Sequence, residues 1–371
     1  MLNEKEKNLR AFGKMIMKLA GGRDLSRSET RECYCQVILN KQPELQQGAF
    51  LMSHLIKGPT TEELCGTWDA LYEFDTEKIE PDFAEDCCDI VGTGSDALKT
   101  VNVSTPAAFI AAACGIRVAK KGARLVTGVS GATDVLEIMG LQLNAPLSRA
   151  NQCLEEHGIC YLPGESFLKS GWARLIQSMR FTSVFNIIGP LTRPCAKTTA
   201  IVIGAYAESL CPQLVEVLKN TGTKAAISPY GMSEKHEKHL GIDEISVSGP
   251  TAIVELRQGK IKSYTVSPTD FGVKQCDYQD VASRESAQGN VRAVLKVLSG
   301  REEGPLADLF AVNAAAALRV SGREDDMKKG TALALEAIAS GRALEKLRRL
   351  IEYQGGEEGL DKFKKLLKQL C

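Results

Sequence analysis

An excess of charge of either sign is the first thing this sequence lacks. Its 46 lysine and arginine residues are matched by 46 aspartate and glutamate, for a formal net charge of zero. Such a balance gives no global attraction to nucleic acid or to an anionic membrane, and leaves only local basic patches open. Long apolar runs are also missing: no stretch reaches the roughly 18–20 residues that a membrane span needs. The opening MLNEKEKNLR is charged where a signal peptide carries its apolar core. The expectation is a cytoplasmic protein with no membrane partner.

Histidine is scarce, with four residues in the chain. His236 and His239 fall in the charged run SEKHEKH, which reads as solvated, and His54 and His157 read as surface or packing residues. No Ser/His/Asp or Cys/His arrangement presents itself as nucleophile and base. Twelve cysteines are present, yet no CxxC pair is. Zinc-ribbon and thioredoxin-like readings therefore lose their support. These cysteines are expected to be reduced core residues.

What is present is organised. The 371 residues suffice for one large domain or two ordinary ones. Phe12, Met15, Ile16 and Leu19 recur at helical spacing, and Gly21-Gly22 ends the pattern. Ser26 with Glu29, and Thr60 with Glu63, have capping-box spacing. Leu64, Trp68, Leu71 and Tyr72 continue a stripe that belongs to a core or an interface. Residues 1–78 are therefore expected to form a small all-helical domain, with about 165–190 returning to it.

Past that point the pattern changes. CCDIVG reads as a buried strand. STPAAFIAAACG reads as a helix capped by Ser104 or Thr105, with Pro106 in its first turn and Gly115 at its exit. IRVAKKG reads as a strand, ATDVLEIMG as a helix, and LVTGVSG fits either pattern. TAIVIGAY, KAAISPY, a hairpin around Arg257-Gln258-Gly259-Lys260 and two alanine-rich helices complete the pattern. Residues 79–164 and 191–371 are thus expected to form an α/β domain with a central, mainly parallel sheet flanked by helices.

The segment VGTGSDALKTVNVST, at the end of the first strand, is the candidate site. Gly92 and Gly94 let backbone amides approach an anion, and the following helix points its N-terminus at the same place. A plain tight turn would use the same glycines. A Walker loop requires GK[ST], which is absent. Gly92, Gly94 and Ala97 loosely fit a dinucleotide fingerprint. However, the helix opens some ten residues too late, and the next strand carries IRVAKKG where an acidic ribose ligand belongs.

DIVGTGSDALKTVNVSTPAAFIAAACGIRVAKKG resembles the phosphate-binding core of the anthranilate phosphoribosyltransferase family, whose fold is shared with the pyrimidine nucleoside phosphorylases. GAFLMSHLIKGPTTEEL, SGATDVLEIMG, SVFNIIGPLTRP, GIDEISVSGPTAIVEL and LADLFAVNAAAALRVSG are similar, in order, to further family segments. The resemblance implies transfer of a ribose 5-phosphate group from phosphoribosyl pyrophosphate (PRPP) to a nitrogen acceptor, with Mg2+ as cofactor. It implies that Gly92, Thr93, Gly94, Asp96, Thr100, Asn102, Ser104, Thr105, Lys120 and Ser130 form the PRPP site. It places metal at Ser104, Asp243 and Glu244, although an acidic dipeptide alone would be a solvated turn. It implies a homodimer joined through the helical domain.

The acceptor side departs from the family pattern. AKKGA replaces AKHGN, so that Lys121 and Ala123 stand where the family carries histidine and asparagine. The HPAMK-like segment is replaced by GESFLKSGWARLIQSM, and Thr182 occupies the place of an arginine, with Arg180 two residues earlier. Lys121 is either a surface lysine or a cation for a different acidic acceptor. The reading is an aromatic or heterocyclic acceptor, anthranilate by default, which would place the reaction in tryptophan biosynthesis. A nucleoside phosphorylase, or a nucleic-acid-binding relative using KKGAR and KFKKLLKQL, are the other readings.

Overall fold

The computed structural model describes residues 3–370 except 95, 125–128, 170, 180–182, 238 and 239. Two compact units result. One comprises Met1–Glu77, Phe167–Pro194 and Glu216–Thr221; the other comprises Lys78–Ser166, Cys195–Val215 and Gly222–Cys371.

The first unit is helical. α1 spans Glu4–Ala20, α2 Arg27–Ile38, α3 Glu44–Lys57 and α4 Thr61–Ala70. Ser26 and Thr60 make the reciprocal capping boxes that their spacing predicts, with Glu29 and Glu63. Each box satisfies backbone N–H groups that the first turn leaves without partners. Trp68 and Leu71 are buried, and Tyr72 stacks on Trp68 at 4.5 Å, so the stripe belongs to the core. Leu71–Asp75 widens into a π-helical turn, which the sequence pattern does not announce. The buried Asp75 carboxylate then accepts from Gly171 N–H and Trp172 N–H (both 2.8 Å), capping the helix Gly171–Met179.

The second unit holds a seven-stranded sheet. Its strands are β1 (Cys87–Gly92), β2 (Arg117–Gly122), β3 (Ile159–Pro163), β4 (Thr198–Gly204), β5 (Ala225–Gly231), β6 (Thr251–Arg257) and β7 (Lys260–Val266). Their order is β3-β2-β1-β4-β5-β6-β7; the first five are parallel, and β6 and β7 are antiparallel. Gln258 and Gly259 both have positive φ, as a two-residue hairpin between right-twisted strands requires.

The longer helices lying wholly within this unit are α5 (Ser104–Ala113), α6 (Ala132–Met139), α7 (Leu147–His157), α8 (Ala287–Leu298), α9 (Pro305–Val320), α10 (Met327–Ala339) and α11 (Arg342–Lys368). α5 and α9 pack on each other and on β1. Their buried alanines, among them Ala107, Ala111, Ala314 and Ala317, permit that close approach. Larger side chains such as Phe109 and Phe310 fill the remainder, each contributing about 1.5–3 kcal/mol by its burial. Among the described residues, no helix is long and apolar enough to cross a membrane. The described cysteines are all free, and all but Cys276 are buried.

At the outer strand β3, the Gln354 side chain completes the ladder. Tyr161 N–H donates to Gln354 Oε1 (2.9 Å), and Gln354 Nε2 donates to Tyr161 O (2.7 Å). Directly after it α11 is broken at Gly356, where φ is 63° and ψ −166°.

Candidate active site

The strand order reverses between β1 and β4: from β1 the chain passes to β2 and β3 on one side, from β4 to β5 on the other. In open α/β sheets this switch point opens a crevice at the carboxyl ends of the strands. Gly92 and Gly204 end the two strands opposite each other, and the Asp243-Glu244 segment sits over both. A Cβ built on Gly92 would overlap Asp243 Oδ2 and lie 2.7 Å from its Cγ. One built on Gly204 would overlap the Asp243 carbonyl and lie 3.0 Å from its Cα. Gly92 is thus required by the approach of a carboxylate. Gly94 is a glycine for a different reason: its φ is +64°, and a Cβ there would meet nothing within 4 Å.

Three carboxylates meet here. One oxygen from each of Asp96, Asp243 and Glu244 lies within 4.8 Å of the others, a grouping suited to a hard cation. Asp96 is the member that sequence reasoning placed with the phosphate loop rather than with the metal. Gly94 N–H donates to Asp243 Oδ2 (2.7 Å), Thr100 Oγ1 to Glu244 Oε2 (3.2 Å), and Lys99 Nζ to Asp96 Oδ1 (2.5 Å). Burial pushes the Asp243 carboxyl up to about 7, assisted by the Asp96 charge and opposed by the Gly94 N–H. Burial, then the neighbouring Asp243 charge, raises Glu244 well above the ordinary range. Asp96 is raised by burial as well, against the Lys99 ammonium. Like charges crowded in a low dielectric resist ionisation until a cation enters.

The acidic segment is held from behind. Asn313, buried in α9, accepts from Ile245 N–H (2.9 Å) and donates to Ile245 O (3.0 Å). Its signal in the sequence is one amide inside the alanine run VNAAAAL. Asn290, in α8, is equally informative. It is buried, and its Nδ2 donates to Ser130 Oγ and Ser283 Oγ (both 3.1 Å) while its Oδ1 accepts from Arg284 N–H (2.8 Å). Ser130 in turn exchanges two 2.8 Å hydrogen bonds with Asn102. Neither Asn290 nor Asn313 was singled out from sequence.

The expected phosphate residues divide. Asn102 holds a positive φ of 31°, Thr93 Oγ1 accepts from Tyr206 N–H (2.9 Å), and Thr93 N–H donates to Gly204 O (2.9 Å). Ser104 and Thr105 do not cap α5, correcting the sequence expectation. Val103 is already α-conformed at the N-cap, and no side chain caps there. Ser104 Oγ instead accepts from Lys120 Nζ (3.2 Å), while Thr105 is fully buried with its hydroxyl unpartnered. Lys120 is buried, donates to Ile90 O (2.7 Å), and is lowered by that burial to about 8.

The acceptor-side expectations change further. Lys121 is neither a surface lysine nor an uncommitted cation. It is buried and ion-paired with buried Asp89 of the adjacent β1, because side chains alternate across a sheet covered on both faces. Ala123 is exposed. Arg180 and Thr182 lie outside the described residues, as does His239. His236 packs edge-on against Tyr278, His157 against Tyr353, and His54 is buried against Tyr34.

Residues 84–344 match the a/b domain of a glycosyl transferase family, and residues 14–74 match its helical bundle domain. The fold and the switch-point site thus define a glycosyl transferase. The anthranilate phosphoribosyltransferase of Methanobrevibacter smithii is 36% identical over 340 residues, covering 91% of this chain and 98% of that protein. The Aeromonas hydrophila protein of the same name is 34% identical over 332 residues, 89% of this chain and 93% of its own. The crystal structure of anthranilate phosphoribosyltransferase from Thermus thermophilus aligns with TM-score 0.81 and 28% identity, covering 92% of this chain and 99% of that one. The Saccharomyces cerevisiae enzyme, solved with PRPP and Mg, has the same fold at TM-score 0.80 and 23% identity, covering 94% and 98%. The chain belongs to the anthranilate phosphoribosyltransferase family, a family of pentosyltransferases.

Proposed function

We propose that this protein is a magnesium-dependent phosphoribosyltransferase with PRPP as donor and an aromatic or heterocyclic amine as acceptor. Anthranilate, and with it tryptophan biosynthesis, is the first acceptor to test. One observation carries the reading: three carboxylates, two buried and one half-buried, converge at the mouth of the glycine loop, at the switch point of the sheet. Asp96, Asp243 and Glu244 would hold the cation. Once bound, magnesium would neutralise charge on the diphosphate. The Gly92–Gly94 loop, Asn102, Ser104, Ser130 and Lys120 offer hydroxyls, amides and one ammonium near the N-terminus of α5, the donor set a phosphorylated sugar needs.

In the reaction the acceptor nitrogen's lone pair forms the N–C1 bond as the C1–O bond to pyrophosphate breaks. Pyrophosphate leaves with the bonding electrons, and the nitrogen loses a proton to solvent. Catalysis then rests on positioning and on stabilising the leaving group.

Incubation with PRPP, Mg2+ and anthranilate should consume anthranilate fluorescence, and EDTA should stop it. A panel of aromatic acids replaces anthranilate if that acceptor alone is inert. Calorimetry showing no PRPP binding at millimolar ligand with Mg2+ removes the reading. Phosphorolysis of uridine without Mg2+ would favour a nucleoside phosphorylase instead.

The proposal includes a homodimer formed through the helical unit. Leu45 and Ile56 on α3 and Met17 on α1 support it, being 86%, 77% and 68% exposed. Leu45→Glu should shift a dimer to monomer in light scattering. A cytoplasmic setting suits the free thiols.

A further inference from the structure

Lys99 occupies an unusual place for a positive charge. Its backbone is fixed: Lys99 O accepts from Tyr278 Oη (2.8 Å) and from Ser283 N–H (2.8 Å), and the adjacent Thr100 pairs with Ala282. Its side chain is the adjustable part, 31% exposed, and reaches inward to Asp96, whose side chain is 6% exposed. Asp96 is one of the three clustered carboxylates. The ammonium therefore sits on a carboxylate that a divalent cation would use, at the end of a partly exposed, flexible side chain.

We propose that the Lys99 ammonium is a built-in occupant of the carboxylate cluster, which a divalent cation must displace from Asp96 in order to load. The inference rests on the metal reading given above. A resident monovalent charge makes the empty cluster tolerable in the folded protein, because burying unpaired carboxylates is costly. The same charge opposes an incoming cation, by repulsion and by competition for Asp96. Lys99 thereby sets the metal concentration at which the site fills. Loading releases the ammonium to swing outward on its anchored backbone.

The test is Mn2+ binding to the full-length protein without PRPP, read as free Mn2+ by electron paramagnetic resonance at one fixed pH for all variants. Lys99→Gln should bind Mn2+ about tenfold tighter than wild type, a change of about 1.4 kcal/mol. Lys99→Arg, which keeps the charge, should stay within about twofold of wild type, and Asp96→Asn should bind more weakly than both. Circular dichroism confirms folding of each variant. Equal or weaker Mn2+ binding by folded Lys99→Gln overturns the displacement proposal and leaves the metal site standing. Absence of Mn2+ binding in every form, including wild type, removes the metal site and the proposal together. If Lys99→Gln fails to fold, a wild-type-like affinity in Lys99→Met, or a tighter one in Lys99→Arg, overturns it equally.

Discussion

Gly92→Ala and Gly94→Ala exchange the same hydrogen for the same methyl two residues apart, and the structure assigns them opposite consequences. At Gly92 the backbone angle is acceptable to alanine, but the new Cβ overlaps the Asp243 carboxylate and stands 2.7 Å from its Cγ, where ordinary contacts begin near 3.4 Å. The carboxylate must move away, and the 2.7 Å hydrogen bond from Gly94 N–H to its Oδ2 is lost. Losing a charge-assisted hydrogen bond costs roughly 1.5–3 kcal/mol, and the overpacking roughly another 1–3 kcal/mol. Because the displaced group is a member of the carboxylate cluster, Mn2+ affinity should fall by roughly 10–100-fold.

At Gly94 the methyl meets open space, but φ is +64°. Alanine there costs about 1–2 kcal/mol in folding, a fall of about 2–4 °C in melting temperature. Cation affinity should be unchanged within about twofold, since no ligand moves. Thermal denaturation with EDTA, paired with Mn2+ titration, separates the two. Wild-type Mn2+ affinity in Gly92→Ala, or an equal loss in both variants, would refute the steric argument.

Other outcomes follow from the same geometry. With metal chelated, the Asp243 carboxyl is raised from 3.8 to about 7 in the folded state, so its contribution to stability is fully present below about pH 4 and is lost as pH rises through about 7. Mg2+ should therefore raise the melting temperature more at pH 8 than at pH 5; equal increments would contradict the assignment. Lys121→Met leaves buried Asp89 without its partner and should cost roughly 3–5 kcal/mol in urea denaturation, with the added Asp89→Leu change restoring much of it. Asn290→Ala breaks the link from α8 to Ser130, and through it to Asn102. It should raise the KM for PRPP by roughly tenfold with a smaller change in kcat, whereas a kcat loss alone would mean that Asn290 does not position the loop.

Much of the fold was legible because its signals are local. The capping boxes at Ser26 and Thr60, the CCDIVG strand ending in glycine, and the hairpin at Gln258-Gly259 each fall within a few residues. The glycine loop was legible as the candidate site, but its steric logic was not. That Gly92 yields to Asp243 depends on a contact between segments far apart in sequence, as does the inclusion of Asp96 among the clustered carboxylates. Neither reading of Lys121 put it in a buried ion pair, because its partner Asp89 lies on another strand. Within a strand covered on both sides, neighbours face opposite ways and each must find its own buried partner, Asp89 for one and backbone carbonyls for the other. The α5 cap was misplaced because Val103 had already turned helical, which no hydroxyl pattern reveals.

The amide of Gln354 stands in for a missing eighth strand. With its oxygen and nitrogen both spent on Tyr161, a passing extended chain finds no paired donor and acceptor there to extend the sheet. At the far margin β7 turns Lys260 and Lys262 toward water, an electrostatic fence against a strand of another molecule. Growth by ribbon addition is thereby discouraged at both margins of the sheet, and a second copy of the chain finds no ready edge to lengthen.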